Sequence, residues 1–424
     1  MVTIKDSVHG HIELAGVGAD LLDTPPVQRL RHIRQLGTVH LVYPSANHTR
    51  FEHSLGVYHL ARQALDHLGI EGRTARRFEA AAMVHDVGHA PFSHNLEPLL
   101  RRATGRSHDD IRSLLVRPPL SELLARHDLD PDRVADLVRG EGPLGQLLAG
   151  ELDVDRMDYL VRDAHHTGVP YGTIDPGRLL RELTFVQGTL ALEEGNVQSA
   201  ENLLIARALM NPTVYNHHVA RISKAMLRRA VTDLLDDGDL TTALGRPLAT
   251  WTAAEDVHPL RRATDTEVMH ALLARESTRD LASRLLRRDL YKRAVWVERS
   301  AVPSTLFEAG DEVHRSHERA IADRLGLDPT AVLIDVPPVV TMAEARSRLL
   351  VNGDLRRLGD QSPLVGALEE NHRAQWRMGV YAPAEWTDAV ASAAIDRLGL
   401  DVDGPAVSPR SRGLHRSLGE FGTE

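Results

Sequence analysis

From Met1 to about residue 230, apolar residues recur at intervals of three and four, so this part of the chain reads as mostly helical. Between Phe51 and Leu68, the residues Phe51, Leu55, Tyr58, Leu65 and Leu68 form one apolar stripe. The string EAAAMVHDVGH reads as a buried helix ending near Gly88 and Pro91, because a proline disfavours helical backbone in the residue before it. Another helix is expected from about Glu151 to His165. After about residue 235 the texture changes. Leu290–Ser300 (LYKRAVWVERS) and Thr330–Pro338 (TAVLIDVPP) are rich in β-branched and aromatic residues and are bounded by Gly/Pro or charge clusters. The expected fold is mainly α: a helical core over 1–235 and a smaller α+β region with a short sheet over 236–400. The Pro-, Gly-, Ser- and Arg-rich tail over 401–424 is expected to lack order.

Composition narrows the function. Of 424 residues, 42% are hydrophobic and 26% charged, an ordinary balance for a globular chain with a sizeable core. Cysteine is absent, which rules out disulfides and thiolate metal sites. The opening MVTIKDSVHGHIE has no apolar leader, and no run approaches the roughly 18 apolar residues of a membrane span. A cytoplasmic protein with no membrane partner is expected. A formal net charge of −9 argues against sequence-blind binding to nucleic acid, so any anionic ligand needs a local cluster of arginine, lysine and metal. Twelve of the 23 histidines fall in the first 110 residues, a concentration that favours a site over solvated surface.

The strings RFEHSLG, MVHDVGH and DVDRMDY supply His53, His85, Asp86 and Asp155. Two neutral imidazoles and two carboxylates suit one divalent cation, and four side-chain ligands leave positions open for water and phosphate. His85 and Asp86 are neighbours, about 100° apart on a helix, so both reach one ion only from its edge or end. His53 and Asp155 sit in the first turns of their own expected helices. Taken alone, a His-Asp pair after an apolar run is more often a satisfied polar pair at a helix end.

The flanking residues add chemistry. His89 lies four residues past His85, and His94 lies beyond Pro91 on a turn that can swing back over the metal. Glu97, three residues on, is placed to orient the His94 imidazole, the usual arrangement of a general acid near neutral pH. Asp155, Tyr159 and Asp163 recur every four residues and drift only about 40° per step along one helix stripe. With Asp155 on a metal, Tyr159 and Asp163 fall about 6 and 12 Å further along, within reach of a sugar edge. Asp158 and Arg162 read as an ordinary i,i+4 pair. Arg50, Arg156, Arg207 and the cluster Tyr215-Asn216-His217-His218 are candidate partners for a polyphosphate.

Taken in order, DSVHGHIEL, DTPPVQRLRHIRQLG, NHTRFEHSLGV, VHDVGHAPFSH and DVDRMDYLVRDAHHTG resemble the HD-domain phosphohydrolases. More narrowly, they are similar to deoxynucleoside triphosphate triphosphohydrolases of the SAM-and-HD-domain type. The strings cover residues 5–170 nearly continuously, with weaker similarity to about residue 230. The resemblance implies a helical HD core with His53, His85, Asp86 and Asp155 on the metal. It implies Arg50, Arg156 and Arg207 facing the triphosphate, and Gln35, Leu36, Tyr159 and Asp163 reading the sugar beside Tyr215. His89, His94 and His108 match the family's catalytic histidines, with His94 as proton donor to the leaving 5′-oxygen and Glu97 as the donor's acidic partner. The implied reaction is attack of a metal-activated water on the α-phosphorus of a dNTP, releasing deoxynucleoside and intact triphosphate. Ligand type does not choose among Mg, Mn, Fe, Zn, Ni and Co. Asp23, Gln28 and Arg31 match the patch that holds an activating nucleotide between subunits in regulated animal members. The resemblance thus implies such a nucleotide and a homo-oligomer (dimer or tetramer), although the upstream basic position is apolar Val2 or Thr3 here.

Two other readings of these residues stay open. One keeps the core and changes the substrate to an alarmone or a nucleoside monophosphate. The other is a nucleotide-sensing scaffold with a vestigial site.

Overall fold

The computed structural model describes residues 1–193, 195–238, 240, 257–338 and 346–402. Of the tail expected over 401–424, only Asp401 and Val402 lie within the described residues. The chain opens on a hairpin, β1 (Val2–Asp6) and β2 (Gly10–Leu14), with Asp6 opposite Gly10. The Asp6 carboxylate accepts the N–H groups of Val8 (2.9 Å) and His9 (2.8 Å), and Gly10 at φ +77° supplies the left-handed residue that closes the turn.

Helix α1 (Arg50–His67) starts at a Thr49/Glu52 capping box. Phe51, Leu55, Tyr58 and Leu65 of its expected stripe are all buried. Helix α2 (Gly72–Val84) packs alongside and ends at Val84, sooner than the sequence pattern predicts. The His85 ring donates to the Ala82 carbonyl, and tight turns follow from Val87 N–H to Val84 and from His89 N–H to Asp86. His85 and Asp86 therefore leave from a helix end, the geometry that lets neighbours share an ion. Four further helices of this half carry site residues or frame them: α3 (Glu97–Thr104), α4 (Val154–Thr167), α5 (Val197–Met210) and α6 (His218–Asp236). Asp153 caps α4 by accepting the Arg156 N–H (2.7 Å), and α4 crosses α1 directly over His53.

Strands β3 (Leu183–Val186) and β4 (Thr189–Leu192) form a hairpin within this half. Beyond α6 come α7 (Asp265–Ala274), α8 (Glu276–Arg287) and β5 (Lys292–Glu298), then α9 (Asp311–Leu325) and β6 (Leu333–Asp335). Strands β7 (Arg348–Val351), β8 (Asp354–Arg357) and β9 (Arg377–Ala382) follow. Both sequence segments that read as strands do form them, as β5 and β6. The fold is mainly α with a smaller α+β region. That region contributes to two sheets rather than one: β5-β9-β6 lies within it, and β7-β8 extend the β3-β4 hairpin in the order β3-β4-β7-β8. The expected division near residue 235 falls at the end of α6, and β4 and β7, on opposite sides of it, pair in parallel.

Side chains also cross that division. Arg29 is buried, and its guanidinium donates to Ala263 O (2.8 and 3.0 Å) and to His89 O (2.9 Å). Burial pushes its pKa down to about 9, against the pull of Asp265. Asp265 accepts the N–H groups of Arg34 (3.0 Å) and Phe92 (2.6 Å). Phe92 and Ser93 both adopt φ of +56°, a left-handed conformation that costs non-glycine residues about 1–3 kcal/mol and persists only when neighbours enforce it. Among the described residues, no helix is long and apolar enough to cross a membrane.

Candidate active site

His53, His85 and Asp86 converge, each offering a ligand atom within 4.8 Å of the others. His85 Nδ1 donates to Ala82 O (2.8 Å) and His53 Nδ1 donates to Asp158 Oδ2 (2.7 Å), so both Nε2 atoms present lone pairs. Those lone pairs stand 3.4 Å apart, and Asp155 Oδ1 lies 2.8 Å from His53 Nε2 and 4.0 Å from His85 Nε2. Electron-rich atoms this close repel unless positive charge sits among them. Ligands about 2.1 Å from a common ion stand about 3.0–3.4 Å apart, so the donor set fits a divalent cation. Burial alone would lower the His53 pKa, yet Asp155 and Asp158 raise it to about 10, so Nε2 takes up either a proton or a cation at this point. Asp86 stays ionised despite its burial because Arg50 donates to both its oxygens (3.0 and 2.9 Å). The Asp155 side chain keeps 35% of its surface, which leaves one side of the centre open to a ligand.

The resemblance implied an Arg50 facing the phosphates; in the structure its guanidinium lies against Asp86. Arg50 is buried, clamps Asp86 and donates from Nε to Ser93 Oγ (2.9 Å). Arg156 likewise folds back onto Asp153 and the Gly150 carbonyl. The remaining expected residues assemble along α4. Tyr159 stands edge-on to His53 and to Tyr215, with centroids 6.5 and 6.3 Å away. The Tyr215 hydroxyl donates to Asp163 (2.9 Å), whose other oxygen accepts from His48 (2.8 Å). Arg207 lies in the last turn of α5, close enough to Tyr215 to oppose the rise that burial imposes on the phenol pKa. Gln35 is buried, and its Oε1 has no hydrogen-bond partner. Leu36, half-buried, packs against the main core. Asp23, Gln28 and Arg31 form a separate surface patch, in which Arg31 donates to Gln28 (2.8 Å) and covers the Phe51 ring at 3.5 Å.

A second histidine group adjoins the first. His89 and His108 stack with centroids 3.9 Å apart, and His94 stands edge-on to them at 4.8 and 5.0 Å. His94 is exposed, while His89 is buried with Nε2 3.3 Å from Asp86. The expected Glu97–His94 pairing is replaced by another. His94 rides the short turn Ser93–Asn95, whereas Glu97 begins α3 and turns its carboxylate to His108, 3.1 Å from both the ring Nδ1 and the backbone N. Burial would lower the His108 pKa, but Asp109 and Glu97 raise it to about 9; burial would raise that of Glu97, but His108 brings it to about 2.

The signs of these shifts define a stability window. The His108 contribution is complete below about pH 6.5 and is lost as pH climbs through about 9. That of Glu97 is complete above about pH 4.5 and is lost as pH falls through about 2. Glu97→Gln should therefore cost about 1.5–3 kcal/mol at about pH 6 and clearly less at about pH 9.5, by denaturant unfolding. Equal losses at both pH values would mean the ion pair does not form.

Sequence reasoning missed the groups behind the centre. Asp158 is fully buried and accepts from His53, from His9 Nε2 (2.6 Å) and from Arg162 (2.9 and 3.0 Å). Arg162 also reaches Asp6 (2.8 Å), so the opening hairpin is wired to a metal donor through two side chains. The apparent surface pair Asp158–Arg162 is the support of His53. The one available signal was DSVHGH, whose polar residues have no place on a plain two-stranded edge.

A donor set at converging helix ends, backed by buried carboxylates, is a metal-dependent hydrolase arrangement. Residues 50–163 match the HD domain and residues 174–408 match the HD associated region, and the chain belongs to the HD-domain phosphohydrolase superfamily. A protein of Methanocaldococcus jannaschii, itself uncharacterised, is 31% identical over 91% of this chain and 80% of its own length. The deoxynucleoside triphosphate triphosphohydrolase SAMHD1 of Homo sapiens is 28% identical over 69% of this chain and 54% of its own length. Among solved structures, a hypothetical protein of Aquifex aeolicus superposes with a TM-score of 0.73 at 26% identity, covering 92% of this chain and 99% of that one.

Proposed function

We propose that this chain is a metal-dependent dNTP triphosphohydrolase, releasing deoxynucleoside and inorganic triphosphate. The observation that carries this reading is the stripe Asp155–Tyr159–Asp163 on α4, which begins among the metal donors and ends on the Tyr215 hydroxyl. His53, His85, Asp86 and Asp155 hold the cation, and Arg50 keeps Asp86 ionised and aimed. When bound, the cation polarises the α-phosphate and lowers the pKa of an attacking water. Tyr159, Asp163, Tyr215, Gln35 and Leu36 frame the sugar, and the unpartnered Gln35 oxygen suits a hydroxyl donor. His94, exposed beside the centre, protonates the leaving 5′-oxygen, with His89 and His108 at its flank. Arg156 and Arg207 turn toward the phosphates as substrate enters. The patch of Asp23, Gln28 and Arg31 serves a second nucleotide or a subunit contact in a homo-oligomer.

Incubation with each dNTP and NTP plus Mg or Mn, with products resolved by chromatography, tests the reaction. Deoxynucleoside and intact triphosphate are expected from dNTPs; orthophosphate as the sole phosphorus product would exclude the proposal. Asp86→Ala should lose bound metal and more than about a hundredfold of the turnover.

A further inference from the structure

The strongest unassigned feature is a cavity of about 570 Å³ between the start of α6, the β5-β9-β6 sheet and the end of the helix Pro363–Ala374, apart from the HD-type centre. Among the described residues it is lined by seven arginine and lysine side chains and a single carboxylate, Asp335, on a chain whose formal net charge is −9. Arg221, Lys224 and Arg228 come from successive turns of α6, Arg293 from β5, and Arg373 and Arg377 from the far wall. The carboxylate is already engaged: Asp335 accepts from Arg221 (2.7 Å) and from the Tyr381 hydroxyl (2.8 Å). Arg228 Nε is buried without a hydrogen-bond partner. Arg221 and Arg293 lie over the Trp296 ring at 4.6 and 5.5 Å, which holds them at the wall, and Arg377 pairs with Glu298 (2.8 Å).

Crowding like charges in a half-enclosed space opposes folding unless an anion offsets it. Two neighbouring groups respond to that crowding. Burial and Arg228 bring the Lys224 amine down to about 8, and burial and Arg293 bring His218 down to about 4.

The geometry points to a binding site for a compact polyphosphate group, either free tripolyphosphate or the phosphate chain of a nucleoside triphosphate. Guanidinium groups offer paired N–H donors that match phosphate oxygens, and the cavity volume falls within the roughly 300–1,000 Å³ of small-molecule sites. A fully extended nucleic acid strand would need an open groove instead.

Titration calorimetry of the full chain in EDTA, where the HD-type centre has no cation, tests this. Inorganic tripolyphosphate and ATP are the two probes. Both should bind at one site per chain, and Lys224→Gln and Arg228→Gln should each weaken binding about tenfold or more. Arg373→Glu alters an exposed rim residue and should weaken it several-fold without risk to the fold. Asp86→Ala should leave it unchanged. Equal affinity for the two probes assigns recognition to the phosphate chain alone, and tighter ATP binding adds the nucleoside; both outcomes support the site. The proposal is overturned if neither probe binds at millimolar concentration, if Arg373→Glu binds as the wild type does, or if Asp86→Ala abolishes binding.

Discussion

Asp158→Ala is expected to destabilise the chain by about 3–5 kcal/mol, the usual cost of deleting one partner from a buried charge cluster. Four donor contacts from three residues end on this carboxylate, and none of the groups has appreciable access to water to repair the loss. Arg162 would retain only Asp6. His53 would lose the acceptor that fixes its tautomer, so its Nε2 would no longer be held as a lone-pair donor. Loss of such a partner typically lowers metal affinity about 10–100-fold. Denaturant unfolding and metal analysis of purified protein measure the two effects separately. Asp158→Asn, which keeps the shape and an acceptor oxygen, should fall between wild type and alanine. An alanine variant with a native midpoint and native metal content would remove Asp158 from the account of the centre.

Gly56→Ala should be nearly as severe for a steric reason. A Cβ at residue 56 would lie 1.8 Å from Asp158 Oδ1 and 2.5 Å from Arg162 Nη2. Neither atom can retreat, since both are buried and each makes two hydrogen bonds. Either α1 and α4 separate or the carboxylate turns off His53. Overpacking in a rigid core costs about 1–3 kcal/mol, and this contact belongs at the upper end. The expected result is a lowered unfolding midpoint together with reduced metal content, although residue 56 is itself no metal donor. The exposed Gly366, with nothing within 4 Å of the place a methyl group would take, serves as the control.

The helices and the candidate metal donors were legible because their signals are local. Periodicity of three and four marks α1 over a few turns, and RFEHSLG and MVHDVGH each carry their ligands within seven residues. The Asp155–Tyr159–Asp163 stripe was legible for the same reason. What escaped were the long-range contacts that no local motif marks. His9 meets Asp158 across 149 positions and Arg29 meets Ala263 across 234, and no spacing rule spans such distances. A Glu97–His94 pair follows from spacing only if both residues share a helix, where i,i+3 neighbours face each other, but α3 begins only at Glu97. Charge alone does not show where an arginine rests: Arg50 lies against Asp86 and Arg156 against Asp153.

The Arg29 and Asp265 contacts bear on how such a chain can be shortened. Arg29 holds the carbonyl of His89 with the same guanidinium that grips Ala263, and Asp265 holds the left-handed Phe92 that aims His94. The histidine loop is thus a keystone seated from both halves of the chain. A fragment ending at residue 235 would retain every metal donor and every histidine of the site. It would also strand a buried guanidinium, release the loop and bare the β4 edge, so the catalytic set could be present in full and still be out of aim.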